Sequence, residues 1–313
     1  MAVSVRYATG ATRRGFVTAL ALIWLVAVYG CGAQFPAAPA PPAPPAAGNK
    51  AIKEPEGCRV SGRIVSTAWR DLGGRVERAI VSAWTLPQLV RAAEFSGEGE
   101  GFEIHLPPGE YRLTCSAVGT RGATFEVLSR EIIVAEGQNH IDVGPVDLPI
   151  SKTTGLFGKP APELGGIIAW QDTPPLALKD LKGRIVVLDF FGYYCSICHE
   201  HKPDLVKLRD KYASQGLVVL AVHDASLKTL DEMNEKMRPV LRRVFKGVPP
   251  KFPIALDGPG EQNVFQAYGI FAVPAVILID QQGRIVRRYH HAGKPELEAD
   301  VRMLLSGLSS RVQ

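Results

Sequence analysis

The chain is poor in cysteine and in clustered charge, and each shortage removes a class of reading. Five cysteines in 313 residues are too few for a small scaffold held together by disulfides. Lys and Arg number 36 against 31 Asp and Glu, and no basic run exceeds three residues, so nucleic acid is not an expected partner. No apolar stretch reaches the about 20 residues of a membrane-crossing helix. What remains is an ordinary globular balance, 46% hydrophobic and 21% charged, with room for about two domains beyond a targeting segment.

The longest apolar run, "FVTALALIWLVAVY" at 16–29, follows Arg13 and Arg14. Its length suits the hydrophobic part of a signal peptide. It ends in "VYGC", which resembles the lipobox of bacterial lipoproteins and makes Cys31 the residue to receive lipid, although Tyr29 is bulky for its place. "TRRGF" (Thr12–Phe16) resembles a twin-arginine export signal. Lipidation of Cys31, cleavage after Ala33 and a retained helical anchor all share export, so residues 1–34 are expected to be a signal or anchor. The Pro/Ala-rich segment that follows, 35–51, cannot build a core and is expected to be a semi-rigid spacer.

From 52 to 149 short runs alternate apolar and polar residues between Gly and Pro clusters. "CRVSGRIV" puts Cys58, Val60, Gly62 and Ile64 on one face; "YRLTCSA" does the same for Tyr111, Leu113, Cys115 and Ala117. Period-2 patterning of this kind predicts a β-sandwich of about seven strands. The turn and strand "LPPGEYRL" resemble carboxypeptidase-regulatory-like, prealbumin-type modules. His105 and His140 are isolated and read as surface or strand histidines. Cys58 and Cys115 both fall on core faces. A bridge between them would stabilise by about 4 kcal/mol in the chain-entropy model; two separate buried thiols fit the pattern as well.

The chemistry is concentrated in "DFFGYYCSICHEHKP", residues 189–203. A CxxC pair reads as a redox dithiol or half a metal site, and CxxCH also as a haem attachment sequence. The surroundings favour the dithiol. "RIVVLDFF" is a buried-strand run. "CHEHKPDLVKLRDKYASQG" is a helix with Leu205, Leu208 and Tyr212 on its apolar stripe and Gly216 at its end. "LVVLAVH", "VPAVILID" and "RIVRRYHH" supply three more strands. This order is the thioredoxin pattern. With "GKPAPEL", "LKDLKGRIVVLDFF", the CxxC before "KPDL", "FPIALD" and "YGIFAVPAVILIDQQGRIV", residues 155–313 resemble the TlpA-like (ResA-like) thioredoxin-fold family, exported thiol–disulfide oxidoreductases usually tethered to membranes.

A thiol at a helix N-terminus is favoured as thiolate, which makes Cys195 the expected attacking residue and Cys198, one turn on, the resolving one. The resemblance implies a proton-accepting role for Asp189 toward Cys198. It also implies that Pro274, after Val273, is a cis-proline facing the dithiol, with the Val273 backbone presented to substrate. Tyr194 stands where the family usually has Trp and is expected to cover the disulfide. One departure concerns the Glu that the family commonly carries three residues after its second cysteine. Here that place holds His201, and Glu200 is about 100° away around the helix. His199 and His201 each share a helix face with one sulfur. If protonated they would favour thiolates and make the pair more oxidising; a solvated polar helix start is the alternative.

The resemblance implies a reductase of exported thiols, apocytochrome among them, with protein disulfides as substrates, a membrane-bound electron donor and no cofactor. The rival readings are haem attachment through His199 and copper held by the two cysteines with His199, His201 or His223. A peroxiredoxin is excluded because Gly192 occupies the place three residues before Cys195 where those enzymes have Thr.

Overall fold

The computed structural model describes residues 57–171 and 173–307. The expected export segment, Cys31 and the Pro/Ala spacer lie outside the described residues. Among the described residues no helix is long and apolar enough to cross a membrane.

The first region is all-β apart from one turn of helix. Its strands are β1 (Cys58–Val65), β2 (Val76–Thr85), β3 (Arg91–Glu98), β4 (Gly101–Leu106), β5 (Gly109–Gly119), β6 (Ala123–Thr124), β7 (Leu128–Val134) and β8 (His140–Asp147), with α1 (Thr67–Asp71) after β1. One sheet has the order β4-β1-β8; the other runs β3-β2-β5, with β6 and β7 both on the far edge of β5. The alternation read from the sequence is the reason. Cys58, Val60 and Ile64 from β1 and Tyr111, Leu113, Cys115 and Ala117 from β5 all enter one shared core, while their neighbours along each strand stay outside.

Of the two readings of Cys58 and Cys115, the bridge is not formed, and both residues are buried free thiols. Each is held in the register of a different sheet, Cys58 opposite Leu106 and Cys115 opposite Val81. Stacked sheets lie about 10 Å apart, whereas a disulfide wants Cα atoms about 5.5–6 Å apart, so burial on facing surfaces does not by itself bring two sulfurs together. His140 shares a hydrogen bond with Ser61 Oγ at 2.9 Å and His105 lies 3.8 Å from Glu103, strand-surface roles as expected.

The second region is a six-stranded sheet with helices on both faces. In chain order it comprises β9 (Ile167–Gln171), β10 (Ile185–Phe191), α2 (Ser196–Glu200), α3 (Lys202–Tyr212), β11 (Leu217–His223), α4 (Leu230–Phe245), β12 (Ile254–Asp257), α5 (Val264–Tyr268), β13 (Ala275–Ile279), β14 (Ile285–Tyr289) and α6 (Pro295–Leu305). The strand order is β14-β13-β10-β11-β12-β9. The central trio β10, β11 and β12 is parallel, and β13 runs antiparallel against β10. Every residue of β10 is buried because helices cover both sides, which is why it reads as an unbroken apolar run. This is the thioredoxin fold that the sequence implied. The expected single helix after the dithiol is divided at His201, which caps both α2 and α3.

The two regions are packed together. The Thr153 hydroxyl donates to the carbonyls of Tyr268 and Gly269 at 2.7 and 3.0 Å. Thr154 Oγ1 donates to the Thr124 carbonyl at 2.7 Å and accepts from the Thr124 N–H at 2.8 Å. Phe157 meets Trp69 edge-on at 5.9 Å, with the Arg121 guanidinium 4.9 Å from the Trp69 ring. Gly122, at φ +70, lies so close to β14 that a Cβ there would come within 1.8 Å of the Arg288 carbonyl oxygen, so only glycine fits that turn.

Candidate active site

The pleat of β10 decides which residues can reach the dithiol. Ile185, Val187 and Phe191 point into the core beneath α3, α4 and α6, and Val186, Leu188 and Phe190 into the opposite one. Asp189 falls on the first of these faces, the same face as Cys198, and is 3% exposed. After Phe191 the chain turns through Gly192–Tyr194 and enters α2. Cys195 is the N-cap of α2, and its Sγ accepts the Cys198 N–H at 3.1 Å. The two cysteines form a disulfide with Cα atoms 5.3 Å apart. Cys195 is half-buried and Cys198 buried, the asymmetry an attacking and a resolving thiol require.

Asp189 has a partner that sequence reasoning missed. Lys202 Nζ donates to its Oδ2 at 2.8 Å, with the two side chains 1% and 5% exposed. The ammonium also sits 3.5 Å from the centre of the Phe191 ring. A signal was present, since Lys202 lies three residues before Leu205 on the same stripe as Leu208 and Tyr212. A lysine on a buried helix face demands a counter-ion, and Asp189 is the acid that the strand places there.

His199 takes a role that neither of its two readings gave it. His199 is 2% exposed, and its Nε2–H donates to the Tyr193 carbonyl at 2.9 Å. Burial holds its pKa below the ordinary histidine range, with Lys202 and Arg243 adding to that and the Tyr193 hydrogen bond and Asp189 opposing it. It is therefore a neutral ring at pH 7, not a cation beside the thiolates. His223, 0% exposed, accepts the Tyr193 N–H on Nε2 at 2.9 Å and donates from Nδ1 to the Asp224 carbonyl at 2.8 Å; burial lowers its pKa as well. The Tyr193 peptide groups are thus held from both sides by buried imidazoles, which fixes the turn leading into Cys195. His201 stacks on His291, ring centres 3.8 Å apart, and lies 3.5 Å from Asp204. Its partners belong to the loop after β14 and to α3, because the helix breaks at His201 itself.

Tyr194 is exposed and donates its hydroxyl to Asp224 Oδ2 at 2.5 Å. That hydrogen bond, with burial and the Asp224 charge, pushes its pKa up to about 12. The ring is tethered toward the end of β11. A Cβ on Gly192 would approach the Tyr194 ring to 2.8 Å and Asp224 Oδ2 to 3.0 Å, so the place where peroxiredoxins carry Thr has no room for one while this pair stands. The Val273–Pro274 peptide is cis. Ala275 pairs with Phe190, which sets Pro274 beside the end of β10 where the dithiol turn begins. Tyr194, Ile197 and Phe271 are apolar side chains left exposed in the dithiol turn, in α2 and in the loop before Pro274, the last 75% exposed.

The haem and copper readings meet ring nitrogens that are mostly occupied. The Nε2 of His199 and both ring nitrogens of His223 already carry hydrogen bonds. Among the described residues no group of three or more His, Cys, Asp or Glu side chains is placed to hold a metal ion.

A sheet centred on β10, with a half-exposed and a buried cysteine bridged at the helix start beside a cis-proline, defines a thioredoxin-fold disulfide protein. Comparison with known sequences agrees. The AhpC/TSA family model matches residues 157–288. The chain is 31% identical to the thiol–disulfide oxidoreductase ResA of Bacillus thuringiensis subsp. konkukian over 131 residues, 42% of this chain and 68% of that protein. It is 36% identical to ResA of Halalkalibacterium halodurans over 122 residues, 39% of this chain and 61% of that one. A solved thiol–disulfide isomerase from Corynebacterium glutamicum aligns at 24% identity and TM-score 0.37, covering 48% of this chain and 97% of that one. The chain belongs to the ResA-like family and is a thiol–disulfide oxidoreductase. The matches to ResA span less than half of it and leave the β module to be understood from its own structure.

Proposed function

We propose that the protein is an exported, membrane-tethered reductase of disulfides in other exported proteins. The Cys195 thiolate attacks a substrate disulfide, one substrate sulfur leaves as thiolate, and a mixed disulfide forms. Cys198 then gives its proton to Asp189 and attacks Cys195 Sγ. The second substrate sulfur leaves, and the Cys195–Cys198 disulfide remains. Two electrons from a membrane-bound dithiol donor restore the reduced pair. Tyr194 and the Val273 backbone border the substrate, and Pro274 keeps a backbone N–H out of that border.

The observation that carries the reading is the asymmetry of the pair, with Cys195 reachable and its sulfur already accepting a backbone N–H. The reductive direction is supported by the state of His199. A ring held neutral by burial puts no imidazolium at that position to stabilise the reduced pair, so the potential should stay low. The deciding measurement is the reduction potential of the Cys195–Cys198 pair in the intact protein. A value near −270 mV or below is expected; a value near −120 mV would mark an oxidant instead. Tethering rests on the apolar run, Cys31 and the spacer. Metabolic labelling with a palmitate analogue should mark the parent and not Cys31→Ala, and an unlabelled parent would remove lipidation from the scheme.

A further inference from the structure

A cleft of about 450 Å³ opens where the β module meets the edge of the redox sheet, a size common for binding sites. Glu77 and Arg78 of β2 line one side, Arg288 and His290 the other, and Lys294 and Glu296 lie at the start of α6. Its charges are unbalanced. Glu77 is matched by Arg75 at 3.9 Å, and the neighbouring Arg287 by Asp300 at 3.0 Å. Among the described residues Arg78, Arg288 and Lys294 have no ion-pair partner, which sets three cations against the one carboxylate of Glu296. Burial lowers the Arg288 pKa from the ordinary arginine value with no carboxylate opposing it. Burial together with Arg288 and Lys294 does the same to His290. A half-buried guanidinium facing a cleft without a counter-ion is unfavourable alone and favourable once a carboxylate pairs with it.

The strand that walls the cleft, β14, is continuous with the reactive end of the sheet. Tyr289 pairs with Val276, so His290 and His291 follow at the Pro274 end of β13. The His291 ring stacks on His201, the residue that ends the helix bearing Cys198. An extended chain leaving the cleft along this edge advances about 3.3 Å per residue toward the dithiol. A protein segment fits that continuity better than a small anion, which would need only the cleft.

We propose that the cleft docks an acidic segment of the protein whose disulfide is exchanged, with Arg288 pairing a carboxylate and Arg78 and Lys294 flanking it. The proposal rests on the reading of protein disulfides as substrates, and it gives the β module a task, since β2 supplies one wall of the site.

The test uses the intact protein and two peptides with the same disulfide loop, one extended by three aspartates and the other by three asparagines. At low salt the aspartate peptide should be reduced with about tenfold higher kcat/KM, the scale of one charge-assisted contact, and the advantage should fade as salt rises. Arg288→Gln should remove the advantage and leave the asparagine peptide unchanged. Arg78→Glu, at an exposed position, should do the same without touching the sheet interior. Equal rates in the parent, or a preference that survives both substitutions, would overturn the proposal. If neither peptide is reduced, the reductase reading fails, and docking is then judged by fluorescence anisotropy of the labelled aspartate peptide on oxidised protein. Binding that weakens about tenfold in Arg288→Gln supports docking, and no binding overturns it. Inorganic phosphate that displaces the aspartate peptide at equal concentration would assign the cleft to a small anion and overturn the peptide.

Discussion

The β module and the redox domain each contain two cysteines, and the two pairs differ in every property that governs sulfur chemistry. Cys58 and Cys115 are buried mid-sheet or at a strand start, unbridged, and burial raises both pKa values, that of Cys115 to about 11. Cys195 and Cys198 are bridged at a helix start, with one sulfur reachable and a backbone N–H aimed at it. The same side chain is a core hydrophobe in one place and a redox group in the other. Placement against backbone donors and solvent, not the presence of a thiol, makes a cysteine reactive.

The sharpest way to break this contrast is to remove one cysteine from each pair. Cys195→Ala should lower disulfide reduction to background, whereas Cys115→Ala should leave the rate within about twofold. In the reduced protein iodoacetamide at pH 7 should label Cys195 and spare Cys115. At a pKa of about 11 only about one thiol in ten thousand is thiolate at that pH. Rapid labelling of Cys115 in the folded protein would end the distinction.

A second, smaller effect concerns what lies under the reactive pair. Lys202→Met strands the Asp189 carboxylate in a site where both partners are nearly inaccessible, and breaking such a pair costs about 3–5 kcal/mol. Urea titration should show that loss. Adding Asp189→Leu should restore most of the stability, because an apolar pair of similar volume is often neutral, while slowing resolution of the mixed disulfide. A double variant that resolves at the parent rate would remove Asp189 from the proton path.

The smallest expected effect is a dependence on pH. His199 and His223 have folded-state pKa values held below the ordinary range, and unfolded histidine titrates near 6.5. Below that pH the unfolded chain takes up protons that the folded chain does not. Stability is therefore full above about 6.5 and falls as pH drops, by at most about 1.4 kcal/mol per pH unit for each ring. The urea midpoint should be lower at pH 5.5 than at 7.5, and His199→Gln should flatten the slope. A midpoint unchanged over that interval would mean that the rings are not held neutral.

Much of the redox domain was legible. The unbroken run of β10 followed from burial on both faces, and the stripe of Leu205, Leu208 and Tyr212 from helical periodicity, both properties of neighbouring residues. In the β module the inward faces of β1 and β5 were read for the same reason. The edge strand β9 escaped because its half-buried residues alternate weakly. The division at His201 escaped because Pro203, which opens α3 at its first turn, was read only as part of a motif.

The amino-acid sequence by itself determined the element types, the order of the thioredoxin fold and the identity of the dithiol, since these depend on periodicity and spacing along a few turns or strands. Only the tertiary structure decided that Asp189 is paired with Lys202, that His199 and His223 brace Tyr193, that Cys58 and Cys115 stay apart, and that the module and the sheet edge share a cationic cleft. Apart from the short reach of His199 to Tyr193, those outcomes depend on residues 13, 30 or more positions apart, brought together by the packing of separate elements, which no local pattern encodes.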